Sequence, residues 1–312
     1  MTATAPNPLR TTFAGLTLES PTVLASGILG VTASTLALAA RAGAGAVTVK
    51  TCGLLPRKGH PGPSILPIRH GLLNAVGLSN PGADAVAAEI RAFRARSRTP
   101  IIASVFGRTE EEFGRVAARL ATAEPDLIEV NVSCPNVESE FGQPFGADFD
   151  AVARITEGVK AAAGHIPVSI KLTLHCPSVV HMARVCKEHG ADAVTAINTV
   201  GPGMFIDVHT GRPVLSNREG GLSGGAILSL AVRAVYRIKA AVDIPVIGTG
   251  GVEDLNGALQ MLLAGADAVG IGTGIYSGGP GLFGVIRAGL RAHLKEQGMT
   301  SIDALRGMAH GT

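Results

Sequence analysis

Asp126-Leu127-Ile128-Glu129-Val130-Asn131-Val132-Ser133-Cys134-Pro135-Asn136 is the stretch on which the reading of this chain turns. Residues 126–130 form an apolar run of strand length, and it stops on polar residues and a proline. A run without polar alternation reads as a strand buried on both faces, which places it in a parallel sheet covered by helices. A cysteine between two asparagines then sits just past the end of that strand.

The pattern repeats outward in both directions. Further strands are expected at Thr22–Ala25, Ala46–Lys50, Ile101–Val105, Val168–Leu172, Ala193–Ile197, Pro245–Gly248 and Ala268–Gly272, with Leu127–Asn131 as the fourth in order. Between them lie helical patterns, including Ala83–Ser97, Glu110–Ala123, Phe149–Ala162, Val179–His189, Ala226–Ala241, Asp254–Ala264 and Leu282–Gln297. Eight strand–helix units predict an α/β fold of the (β/α)8 or TIM-barrel type. An open doubly wound sheet is the competing fold, but no G-x-G-x-x-G follows the first strand. Arg10–Leu18 reads as an N-terminal β-hairpin closing the barrel floor. Two long loops, Thr51–Pro81 after strand two and Asn198–Gly225 after strand six, leave the C-terminal face, where barrel enzymes carry their chemistry. No linker or repeat divides residues 1–312, which read as one domain.

Composition narrows the function. Lys plus Arg is 27 and Asp plus Glu is 24, too even a balance for a nucleic-acid footprint. The chain lacks an apolar run of membrane-spanning length and a signal-peptide pattern at its start. Four cysteines without C-x-x-C spacing, and histidines without ligand spacing, predict a reducing cytoplasm and no metal site.

Candidate site residues follow from their places at strand ends. Gly248-Thr249-Gly250-Gly251 and Gly270-Ile271-Gly272-Thr273-Gly274 follow strands seven and eight, where barrels build phosphate sites from backbone N–H groups; two tight turns are the plainer reading. Lys50 and Lys171 end apolar strands and suit an anion at the barrel mouth, or an ion pair with a nearby carboxylate. Cys134 reads as a general acid/base, a nucleophile or a buried thiol, and its loop favours chemistry. Asn74, Asn131, Asn136 and Asn198 offer amide donors and acceptors to a planar ring, although asparagine in a loop is by default a turn residue. Cys52, Cys176 and Cys186 read as non-catalytic.

These stretches together closely resemble the class 1 dihydroorotate dehydrogenases, and within them the class 1B catalytic subunit. The matching segments include Val49-Lys50-Thr51, Leu73 to Gly82, Asn131 to Asn136, Ile170-Lys171-Leu172, Ile197-Asn198-Thr199 and Gly220 to Gly224. The resemblance implies oxidation of dihydroorotate to orotate in pyrimidine synthesis, with Cys134 taking the C5 proton and FMN the C6 hydride. It implies substrate contacts at Lys50, Asn74, Asn131, Asn136, Asn198 and Thr199, and at the backbone of Val76, Gly77 and Leu78. It implies FMN contacts at Ser26, Lys50, Thr51, Ser104, Asn131, Lys171 and Ile197, and at Gly224, Gly250, Gly251, Gly272 and Thr273. The class 1B likeness implies a homodimer core, and a heterotetramer with a partner subunit carrying FAD and a [2Fe-2S] cluster that passes electrons to NAD+.

The chain departs from the family pattern at Ser104, at Leu174-His175, at His60 and at Ser64. Three alternatives stay open: a fumarate-linked class 1A enzyme, a dihydropyrimidine dehydrogenase-like enzyme acting on dihydrouracil, and a barrel that binds a phosphate ligand without redox chemistry.

Overall fold

In the computed structural model, residues 7–132 and 145–311 are described. The chain enters through a hairpin of β1 (Thr11–Phe13) and β2 (Leu16–Leu18). Phe13 pairs with Leu16 across a two-residue turn in which Ala14 and Gly15 both have positive φ, the turn whose twist suits a tight hairpin.

Eight parallel strands then close a barrel. They are β3 (Thr22–Leu24), β4 (Ala46–Thr48), β7 (Ile101–Val105), β8 (Leu127–Asn131), β9 (Val168–Leu172), β10 (Ala193–Ala196), β15 (Val246–Thr249) and β16 (Ala268–Ile271). Each coincides with an expected strand to within one or two residues at its ends. Every residue of β7, β8 and β9 is buried, as the unbroken apolar runs require.

Helices α1 (Ala33–Ala42), α2 (Ala83–Arg94), α3 (Glu110–Ala121), α4 (Phe149–Ala163), α5 (Val179–Glu188), α6 (Leu228–Ala241), α7 (Leu255–Leu263) and α9 (Leu282–Glu296) surround the barrel. A short α8 (Thr273–Gly278) starts directly after β16. Thr32, Thr109, Asp148, Ser178 and Asp254 each accept a hydrogen bond from a backbone N–H in the first turn of the helix they precede. The alanine-rich α1 gave the apolar periodicity little contrast and was not among the expected helices.

The hairpin closes the floor. Phe13 and Leu18 pack against the first residues of the barrel strands, among them Val23, Ala46, Ile102 and Leu127. A carboxylate latch recurs around that end. Asp126, Asp192 and Asp267 accept from the N–H of Ile101, Val168 and Val246 at 2.6, 2.7 and 2.8 Å. Each also pairs with a cation of the helix that leads into the strand it accepts from: Arg94, Lys160 or Lys239. Each latch ties the start of one strand to the segment leading into its neighbour.

The two long loops are more ordered than the sequence suggested. The first carries β5 (Ile65–Ile68) and β6 (Gly71–Asn74), and the second carries β11 (Val200–Met204), β12 (Ile206–Asp207), β13 (Arg212–Pro213) and β14 (Glu219–Ser223). Strands β11, β14, β6 and β5 join in that order into one antiparallel sheet, in which Gly221 faces Asn74 and Ser223 faces Leu72. Sequence-distant loops thus make a single roof over the C-terminal mouth.

Candidate active site

A cavity of about 310 Å³ lies between the barrel mouth and this roof. That volume suits a small organic ligand held mostly out of water. Strand ends supply its floor and walls: Ser26 after β3, Lys50 and Thr51 after β4, Asn131 ending β8, Lys171 in β9, and Ile197 to Thr199 after β10. One corner is Gly250, Gly251, Gly272 and Thr273, and the roof contributes Asn74 and Gly224. Val76, Gly77 and Leu78 come in from the loop after β6.

The amides are held in place. Asn198 Nδ2 donates to Asn131 Oδ1 at 3.2 Å, while Asn198 Oδ1 accepts from the Thr199 N–H at 2.8 Å. Asn74 Nδ2 donates to the Gly221 carbonyl at 3.2 Å. The loop at Gly77 is pinned by Arg57 Nε, which donates to the Gly77 carbonyl at 2.7 Å, and by Asn80 Nδ2, which donates to the Leu78 carbonyl at 2.7 Å. Gly77 and Leu78 both have positive φ, and this pinned turn lines the cavity.

A line of hydroxyls runs beneath the floor. Ser26 Oγ lies 2.9 Å from Thr51 Oγ1, which lies 2.8 Å from Ser104 Oγ. Ser104 Oγ donates to Glu129 Oε1 at 3.3 Å, and Thr195 Oγ1 donates to Glu129 Oε2 at 2.9 Å. Lys171 Nζ stands 3.8 Å from Glu129 Oε1, and both side chains are buried. The two readings of Lys171 therefore hold together: it faces a carboxylate and it lines the cavity.

The glycine corner has the form of an anion cradle. Thr273 Oγ1 donates to Ser223 Oγ at 2.8 Å beside it. Gly250 and Gly251 adopt φ of +125° and +81°, and a methyl on Gly251 would meet the Leu228 backbone at 2.6 Å. Only glycine allows the chain to pass that close to the start of α6 while lining the cavity wall.

Residues 8–294 match the family model for dihydroorotate dehydrogenase. The chain is 43% identical over 302 residues to the dihydroorotate dehydrogenase B (NAD(+)) catalytic subunit of Methanothermobacter thermautotrophicus, a span covering 97% of this chain and 98% of that one. It is 44% identical over 300 residues to the protein of the same name in Methanosarcina mazei, covering 96% and 94%. With that of Methanocaldococcus jannaschii the identity is 40% over 305 residues, covering 97% and 98%.

The chain belongs to the dihydroorotate dehydrogenase family.

Dihydroorotate dehydrogenases are flavin-dependent, and the residues present fit a flavin nucleotide. The cradle accepts an anionic group, the apolar side chains of Ile197 and Ile227 line the space beside it, and Lys50 and Lys171 supply positive charge at the floor. Of the described residues expected at a dihydroorotate dehydrogenase site, Ser104 alone does not line the cavity: it is fully buried and acts from below through Thr51. Cys134 and Asn136 lie outside the described residues. The other thiols are poor candidates. Burial pushes Cys52 up to about 12, outweighing the opposing pull of Lys50, and burial likewise raises Cys176 and Cys186.

Two groups escaped the sequence reading. Ser223 sits in the roof strand and meets Thr273 only in the folded chain. Glu129 did leave a signal, because a charged residue in the middle of a buried apolar run requires a partner.

Proposed function

We propose that this chain oxidises (S)-dihydroorotate to orotate in de novo pyrimidine synthesis, using FMN bound in the barrel mouth. The observation that carries this reading is the convergence of Lys50, Asn74, Asn131, Asn198 and the glycine corner on one roofed cavity in a member of this family. FMN, when bound, supplies an acceptor for the hydride leaving C6 of the substrate.

The chain's own groups do the rest. Cys134 takes the C5 proton, so that loss of hydride and proton leaves the C5–C6 double bond of orotate. The asparagine carboxamides, Asn136 among them, bind the ring amides and Lys50 the carboxylate, with Thr199 and the backbone of Val76 to Leu78 completing the contacts. Gly224, Gly250, Gly251, Gly272 and Thr273 would hold the phosphate, and Ser26, Thr51, Asn131, Ile197 and Lys171 the ring system, with Ser104 supporting Thr51 from beneath. The roof excludes water, which strengthens every polar contact inside.

In this reading a partner subunit would carry FAD and a [2Fe-2S] cluster and supply the route for electrons to NAD+, in a heterotetramer built on a homodimer of this chain. Support comes from the words "catalytic subunit" and "NAD(+)" in the names of the relatives. A cytoplasmic setting belongs to the same reading and is supported by the free thiols of Cys52, Cys176 and Cys186. Among the described residues no helix is long and apolar enough to cross a membrane.

Anaerobic addition of dihydroorotate to the FMN-loaded chain tests the first half. Rapid bleaching of the flavin absorbance is expected. A loaded protein that stays yellow with dihydroorotate and bleaches with dihydrouracil overturns the substrate. Purification of the native complex tests the second half: an iron–sulfur flavoprotein should accompany the chain, and fumarate-linked turnover without a partner would refute the NAD+ route.

A further inference from the structure

Glu129 is 3% exposed in the middle of β8, one layer below the cavity. Burying a carboxylate is costly unless its charge is balanced and its oxygens accept hydrogen bonds. Both conditions are met: Lys171 Nζ lies 3.8 Å away, too far for a hydrogen bond but near for a charge contact, and Ser104 and Thr195 each donate.

The donor count then fixes the rest of the line. A carboxylate only accepts, and a hydroxyl has one proton to give. Ser104 spends its proton on Glu129, so Thr51 donates to Ser104 across 2.8 Å. Ser26 closes the line from the backbone side: its hydroxyl donates to the Val49 carbonyl at 2.9 Å and accepts from the Thr51 N–H at 3.0 Å, with Thr51 Oγ1 2.9 Å away. On the other side Thr195 donates to Glu129, so Ser169 donates to Thr195 across 3.2 Å. The protons of Thr51, Ser104, Ser169 and Thr195 are thus aimed toward Glu129, with the positive charge of Lys171 beside it.

We propose that Glu129 is a positioning residue of this site, holding Lys171 beneath the ligand and fixing the direction of the Ser104 and Thr51 hydroxyls. A ligand edge that matches this floor carries a carbonyl or anionic group toward Lys171. The redox consequence rests on the flavin reading above. Negative charge placed on the ring by reduction is stabilised by Lys171 and opposed by Glu129.

Glu129→Gln keeps the shape and removes the charge. The midpoint potential of its bound flavin is expected to rise, whereas Lys171→Ala lowers it, and Glu129→Asp returns it toward wild type. Loss of packing alone does not produce opposite signs from the two halves of one pair. Crystal structures of the ligand-free wild type and Glu129→Gln supply a flavin-independent readout. No longer drawn down by Glu129, Lys171 Nζ should move up toward the cavity by more than the about 0.5 Å within which functional groups are held. An unchanged potential and an unmoved Lys171 overturn the proposal. Should Glu129→Gln fail to fold, Ser104→Ala breaks the line one step away, and about tenfold weaker flavin binding is expected from the lost hydrogen bond; unchanged binding there overturns it equally. A wild-type chain that takes up no flavin defeats the flavin reading, and the position of Lys171 in the ligand-free structures then decides the role of Glu129.

Discussion

Asn74 and Gly221 lie 147 positions apart, and the carboxamide of one donates to the carbonyl of the other at 3.2 Å. They also face each other in register where β6 pairs with β14. This contact joins the two long loops and sets one cavity-lining amide, so the roof and the binding site are one construction.

Replacing Asn74 with Ala removes the bridge and a ligand contact together. Orotate affinity should fall by about tenfold or more, the worth of one lost buried hydrogen bond. Titration of orotate against the flavin spectrum reads it, and unchanged affinity would show that Asn74 serves the roof alone.

Gly71→Ala tests the roof separately. A methyl there would run into the Ser223 carbonyl oxygen, so β6 and β14 must move apart. Substrate affinity should drop steeply while the melting temperature falls by only a few degrees, because the barrel core is untouched. A large loss of melting temperature with intact binding would mean the roof is part of the folding core.

Cys134→Ser should bind orotate yet reduce the flavin slowly near neutral pH, recovering as pH rises, since a hydroxyl is a poorer base than a thiol. Stopped-flow reduction across pH reads this, and wild-type rates near neutrality would remove Cys134 from the role of base.

Thiol labelling of the folded protein gives an independent check. Reaction requires thiolate, and burial holds Cys52 at about 12 and raises Cys186 as well, so both should stay unlabelled near neutral pH and gain reactivity only in strong alkali or on unfolding. Cys134 should label, and orotate should protect it. Mass spectrometry locates the label, and prompt reaction at Cys52 would contradict the buried position of that thiol.

Phe13→Ala empties the barrel floor, where Phe13 is 2% exposed. The cost should be about 3–5 kcal/mol in denaturant unfolding. Ligand affinity should persist in the folded fraction, since the cavity is at the opposite end of the barrel.

By itself the sequence determined the eight strands, most of the outer helices and the floor hairpin. These rest on local pattern: apolar runs of strand length, side chains that cap helix starts, and a two-residue turn. It also indicated which strand ends share the mouth, because a barrel carries every strand end to one face. Tertiary structure alone decided that β5, β6, β11 and β14 form one sheet. Short strands rich in glycine and proline carry little periodicity, and their pairing is settled by a partner far along the chain. It alone decided that Ser104 works from beneath the cavity, and that Glu129 reaches Lys171, Ser104 and Thr195 at once. Residue type shows that a buried carboxylate needs partners; only the closing of β7, β8, β9 and β10 side by side determines which partners it finds.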